Sequence, residues 1–265
     1  MQRRVGAATI ESITAEHPKF TAPLLLVHGL WCTAAMWRPF MGYLAHRGWS
    51  CHAVSLPGRV PRSAAASVGM VSLADCIEQV RQAMRRCEAT PVLVGHDLGA
   101  LLALHSALPA PRAVVALAPL VPPQSGSGRR RLSPEIWARL AMRRAAVMPL
   151  PRRGAGIDYR EFPPPGGTVP DSGRLAREVT DGGLRVALRC AAPTLMLVGA
   201  GDRVSPAPEV QRLAAAIGAV ARVVADGGHA LPWAPGWEQR VSEVHRWLVQ
   251  TLGEDLLVPA DDGET

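Results

Sequence analysis

Three short segments of the 265-residue chain set reactive side chains beside glycines: Gly95-His96-Asp97-Leu98-Gly99, Gly199-Ala200-Gly201-Asp202 and Gly227-Gly228-His229. The first has the form of the nucleophile elbow, G-x-S-x-G, with aspartate at its centre. Such a turn is tight enough that neighbouring side chains would clash, hence the glycines. Its central residue takes a positive φ, which aspartate tolerates better than most residues. No G-x-S-x-G occurs elsewhere in the chain, so no serine competes for the position. A carboxylate is ionised at neutral pH and needs no base to attack. It can displace a leaving group from sp3 carbon and form an ester. A histidine oriented by a second carboxylate could then activate water against that ester. Asp202 and His229 follow Asp97 in that order.

Such residues need strands that end at one edge. Short apolar runs at Leu24-Leu25-Leu26-Val27, Pro91-Val92-Leu93-Val94, Ala113-Val114-Val115-Ala116-Leu117, Thr194-Leu195-Met196-Leu197-Val198 and Arg222-Val223-Val224 suit strands buried on both faces of a parallel sheet. A weaker strand is expected around Cys51-His52-Ala53-Val54, and residues 8–14 alternate like an antiparallel edge strand. Between them, Met36, Trp37, Phe40, Met41 and Leu44 share a helical face after a Thr33 cap. Leu73, Cys76, Ile77, Val80, Met84 and Cys87 form a second, with Ser72 and Asp75 spaced as a capping box. Trp237, Val241, Val244, Leu248 and Leu252 form the last. This alternation predicts an α/β fold with a mostly parallel central sheet flanked by helices. The expected division is a core of residues 1–120 and 191–252, a cap insertion over 121–190, and an acidic tail over 253–265 that frays. The insertion breaks the rhythm with Pro122-Pro123 and Pro163-Pro164-Pro165-Gly166-Gly167, one helix is expected over 133–147, and its place is over the carboxyl ends of the strands.

Composition narrows the partners. The net charge is +7, and residues 121–190 alone hold 13 arginines against six acidic residues, leaving the rest near neutral. No nucleic-acid motif accompanies the charge. Five cysteines are scattered without a C-x-x-C pair, which suits free thiols in a reducing compartment. No apolar stretch is long enough to span a membrane, and no apolar run follows the basic N-terminus. A cytoplasmic protein acting on a small molecule is expected. His46, His52, His105 and His245 show no metal spacing, and neither a metal nor a cofactor is implied. Arg129-Arg130-Arg131 reads by default as a solvated face. Its functional alternative is a basic rim for an anionic substrate, a CoA ester or an acidic carrier.

Over about residues 8–252, apart from the insertion, the chain resembles the α/β-hydrolase superfamily. The Gly-His-Asp-x-Gly-Ala elbow is similar to the branch of epoxide hydrolases and haloalkane or haloacetate dehalogenases. The resemblance implies Asp97 as nucleophile, His229 as the base that activates water, Asp202 as its orienting acid, and the amides of Leu30 and Leu98 as oxyanion donors. Departures are specific. Epoxide hydrolases present two cap tyrosines, whereas this insertion has only Tyr159. Dehalogenases place tryptophan, or in the haloacetate enzymes arginine, where Leu98 stands, and Trp31 replaces the proline usual after His-Gly. An epoxide is therefore favoured over a halide, with Tyr159 as proton donor and Trp31 or Trp137 as pocket wall or indole donor. His96 is expected to pack beneath the sheet, and His28 to support the oxyanion loop.

Two other readings stand beside this one. Asp97 could act as acid or base in a lyase, isomerase or cyclase that tailors a secondary metabolite, or assist ester or thioester hydrolysis. The scaffold could also bind a ligand without turnover, because fold alone does not decide function.

Overall fold

In the computed structural model, residues 2–5, 8–59, 68–105, 109–121, 147–150, 157–180 and 192–257 are described. In chain order the elements are β1 (Gln2–Val5), β2 (Ala8–Ile13), β3 (Leu24–Val27), α1 (Arg38–His46), β4 (Cys51–Val54), α2 (Leu73–Arg85), β5 (Val92–His96), α3 (Leu98–Ala103), β6 (Val114–Leu117), β7 (Val147–Met148), β8 (Asp171–Ser172), α4 (Gly173–Thr180), β9 (Thr194–Gly199), α5 (Ala207–Ile217), β10 (Val220–Val224) and α6 (Trp237–Leu252). Eight strands form one sheet in the order β1-β2-β4-β3-β5-β6-β9-β10. From β4 to β10 all neighbours are parallel, while β1 and β2 run antiparallel.

The continuous apolar strands are explained by burial on both faces. Leu25, Val27 and Leu93 point to one core with α2, α3 and α5. Leu24, Leu26, Val92 and Val94 point to the other, with α1 and α6. At the start of α2 the expected capping box forms. Ser72 Oγ accepts the Asp75 N–H at 3.2 Å, and Asp75 Oδ2 accepts the Ser72 N–H at 2.8 Å.

Three expectations change. Residues 8–14 do hold a strand, but β1 pairs with its outer side, so β2 is not the edge. Thr33 precedes a 3-10 turn at Ala34–Trp37 and makes no side-chain cap bond. The tail does not fray at Gly253: the Thr21 N–H donates to the Leu256 carbonyl at 2.7 Å, and Leu256 is buried. Helix α5 was not foreseen, although Val210, Leu213, Ala214 and Ile217 have helical spacing and are buried. Of the helix expected over 133–147, residues 133–146 lie outside the described residues, and Val147 belongs to β7, which pairs with β8.

Candidate functional site

Asp97 sits at the turn between β5 and α3 with φ 53 and ψ −117. The flanking glycines are sterically required. A Cβ on Gly95 would lie 2.4 Å from the Gly99 backbone, and one on Gly99 would lie 2.1 Å from the Val27 carbonyl oxygen. The turn lifts the carboxylate to the carboxyl edge of the sheet, where the loops after β3, β9 and β10 meet it.

Those loops deliver the other expected groups. Asp97 Oδ2 accepts the Leu30 N–H at 2.8 Å. Asp97 Oδ1 faces His229 Nε2 at 3.5 Å. His229 Nδ1 pairs with Asp202 Oδ2 at 2.8 Å, and Asp202 Oδ1 accepts the Val204 and Ser205 N–H groups at 2.8 and 2.9 Å. The Asp202 carboxylate is thus fixed by backbone on one oxygen and fixes the imidazole with the other. Leu98 opens the first turn of α3, where a helix leaves its N–H groups without internal partners.

All three members are buried, with Asp97 at 2%, Asp202 at 5% and His229 at 1% exposure, so their charges are poorly screened. Burial by itself would lower the His229 pKa. The flanking carboxylates of Asp202 and Asp97 outweigh it and raise it to about 10. Burial would conversely raise Asp97, but His229, His96 and the Leu30 N–H together bring it below the ordinary carboxylate value. Both directions favour an Asp97 carboxylate paired with a His229 imidazolium.

The remaining histidines build the frame. His28 Nε2 accepts the Leu56 N–H at 2.9 Å, which leaves its Nδ1–H to donate to the Gly29 carbonyl at 2.8 Å. His28 thereby ties the loop after β3 to the loop after β4. Burial, joined by the Arg59 charge, lowers its pKa to about 3. His96 is placed differently from expectation: it lies beside His229, ring centroids 5.0 Å apart, and its Nε2 bonds the His229 carbonyl at 2.8 Å. Burial, then repulsion from His229, lowers its pKa to about 4.

Tyr159 is 2% exposed and stacks on the His229 ring at 5.9 Å and against Trp233 at 5.1 Å, so it is no surface residue. Burial, with Cys32, Asp97 and Asp158 close by, raises its pKa well above the ordinary value, keeping it a neutral O–H donor. Tyr43 instead lies under Arg47 on α1. The expectation of an indole donor at Trp31 is corrected: its Nε1–H is committed to the Met148 carbonyl at 3.1 Å. Trp137 and Arg129-Arg130-Arg131 lie outside the described residues.

Two carboxylates were missed in the sequence. Asp158 Oδ2 accepts the Ala230 N–H at 3.3 Å, bracing the turn that carries His229. Asp171 Oδ2 accepts the Trp31 N–H at 2.9 Å and forms a fully buried ion pair with Arg59. Neither had a local signal, since Arg59 and Asp171 are 112 residues apart. Among the described residues there is no cluster of three metal-ligating side chains, and no helix is long and apolar enough to cross a membrane.

A parallel sheet with a strained elbow, a carboxylate after β9 and a histidine after β10 defines a hydrolase-type site. The Alpha/beta hydrolase family profile matches residues 24–244, and the chain belongs to this family. No curated protein gives a significant match. Solved structures share the fold. One of LipS and LipT, two metagenome-derived lipolytic enzymes, superposes with a TM-score of 0.67 at 17% identity, over 91% of this chain and 97% of that one. A monoacylglycerol lipase from Paleococcus ferrophilus gives 0.66 at 20%, over 91% and 99%. An N-formylmaleamic acid deformylase from Pseudomonas putida S16 gives 0.62 at 19%, over 92% and 100%.

Proposed function

We propose that the protein hydrolyses a carbon–heteroatom bond through an alkyl ester on Asp97, and that an epoxide is the substrate class its residues suit best. One observation carries this reading: Asp97 has one oxygen on the Leu30 N–H and the other facing His229. The carboxylate occupies the oxyanion hole itself. An acyl substrate attacked by water would have to expel that oxygen from the Leu30 amide, whereas an Asp97 ester would already have its carbonyl there.

The steps balance as follows. Asp97 Oδ1 forms a bond to an epoxide carbon as the carbon–oxygen bond breaks, and the released electron pair takes the Tyr159 proton. The tyrosinate is restored by the proton that His229 holds at rest. Once esterified, Asp97 is neutral, so one of the two charges raising the His229 pKa is gone and the imidazole becomes a base. It takes a proton from water, whose oxygen adds to the Asp97 carbonyl carbon. The oxyanion forms on Oδ2 against the Leu30 and Leu98 amides. Collapse releases the diol, protonated by His229, and the new Asp97 acid returns a proton to His229.

The test is His229→Gln with a panel of epoxides, haloalkanes and activated esters, read by intact mass and peptide mapping. A stable epoxide adduct on Asp97 is expected. If the wild type turns over a panel member while the variant carries no adduct, Asp97 acts as acid or base instead, and the lyase or acyl-hydrolase reading replaces this one.

A further inference from the structure

Trp31 follows the oxyanion residue Leu30 and adopts φ 59, a conformation side chains other than glycine rarely take. All three of its hydrogen-bonding groups are taken by segments distant in the chain. Its N–H donates to Asp171 Oδ2 at 2.9 Å, its carbonyl accepts the Val169 N–H at 2.9 Å, and its indole donates to the Met148 carbonyl at 3.1 Å. Asp171 is the one charged partner. Its other oxygen accepts the Ser172 N–H at 2.6 Å and meets the Arg59 guanidinium, both ionic side chains being fully buried. Arg59 also donates to the Pro57 carbonyl at 3.2 Å, in the same loop whose Leu56 amide holds His28. Hydrogen bonds thus link the loop after β4, the loop after β3 and strand β8.

We propose that Asp171, with Arg59 as its counter-ion, is the positioning residue of the oxyanion hole. It pins the strained Trp31 peptide, and through it aims the Leu30 N–H at the carbonyl oxygen of the Asp97 ester. The inference rests on the nucleophilic reading of Asp97. A donor aimed at Oδ2 matters most when charge develops there, which happens in ester hydrolysis and not in ester formation. Losing the acceptor at position 171 therefore slows the second half-reaction selectively.

Asp171→Asn alone would strand a buried guanidinium and is expected to fold poorly. The informative pair is R59M/D171N against R59M/D171L. Both lack the ion pair and share the same branched heavy-atom skeleton at position 171; only asparagine can accept the Trp31 N–H. With the epoxide from the panel that wild type turns over, quenched-flow mass analysis follows ester formation and ester decay separately. Equal formation in the two variants is expected, with decay in the leucine variant about 10–100-fold slower than in the asparagine variant. Amide hydrogen exchange at Leu30 and Trp31 is measured alongside and should be faster in the leucine variant. Equal decay, or equal exchange at both amides, overturns the proposal. If His229→Gln forms no adduct, the nucleophilic reading fails on its own account, and the exchange comparison still decides whether Asp171 positions the loop.

Discussion

At residue 97 the aspartate meets two opposed demands. Under the proposed function its carboxylate must be charged to attack, yet it is almost fully buried, which disfavours charge. The Leu30 N–H and the His229 imidazolium resolve the conflict, and Asp202 holds the imidazole from the far side. On the proposed mechanism Asp202 acts on the tautomer and orientation of the imidazole, so it matters when His229 works as a base. Asp202→Asn should leave the rate of adduct formation on Asp97 within a few-fold of wild type while adduct hydrolysis falls by about 10³–10⁴-fold. Single-turnover mass spectrometry separates the two steps. An equal fall in both would mean that Asp202 serves folding of the site and not the base.

At the scale of elements, the elbow is a packing constraint before it is a catalytic device. β3, β5 and α3 approach so closely that a Cβ on Gly99 would lie 2.1 Å from the Val27 carbonyl oxygen. Gly99→Ala should cost about 3 kcal/mol or more, because backbone would have to move. Gly42 is the contrasting case: it lies on α1, and nothing comes within 4 Å of a Cβ there. Gly42→Ala should stabilise by about 0.5–1 kcal/mol through helix propensity. Urea denaturation of the two variants tests both signs. Strands β3, β5, β6 and β9 were legible because each is a short apolar run buried on both faces. The apolar spacing of α5 is masked in the sequence because the helix begins within Pro206-Ala207-Pro208, a pattern that reads as a turn. In the structure Pro208 occupies the first turn of α5, where its missing N–H costs nothing.

For the whole molecule, buried histidines set how stability responds to pH. His28 and His96 are held to about 3 and about 4 against an ordinary value of 6.5, chiefly by burial. The unfolded chain therefore binds protons first as pH drops below 6.5, and stability falls. His229 runs the other way. Its pKa is raised to about 10, so its stabilisation is complete below 6.5 and is lost as pH climbs through 10. The melting temperature should peak near pH 6.5, falling on both sides by several degrees. His229→Gln should remove the fall between pH 6.5 and about 8.5 and spare the acid limb, while above that range the buried thiols of Cys32, Cys51, Cys76 and Cys87, whose pKa burial raises, still make stability fall. A wild-type melting temperature that stays level or rises between pH 7 and 10 would contradict the charged resting pair.

The sequence alone determined the alternation of strands and helices, the elbow at Asp97, and the chain order of Asp97, Asp202 and His229. These follow from periodicity and from glycines that tight turns require, both local properties. Only the tertiary structure decided that Asp97 reaches the Leu30 amide, that His96 lies against His229, that Tyr159 is buried on the imidazole, and that Asp158 and Asp171 brace the catalytic loops. Those contacts join residues from 67 to 140 positions apart. A carboxylate in a proline-rich segment looks like any solvated loop residue until folding places a specific amide or guanidinium against it.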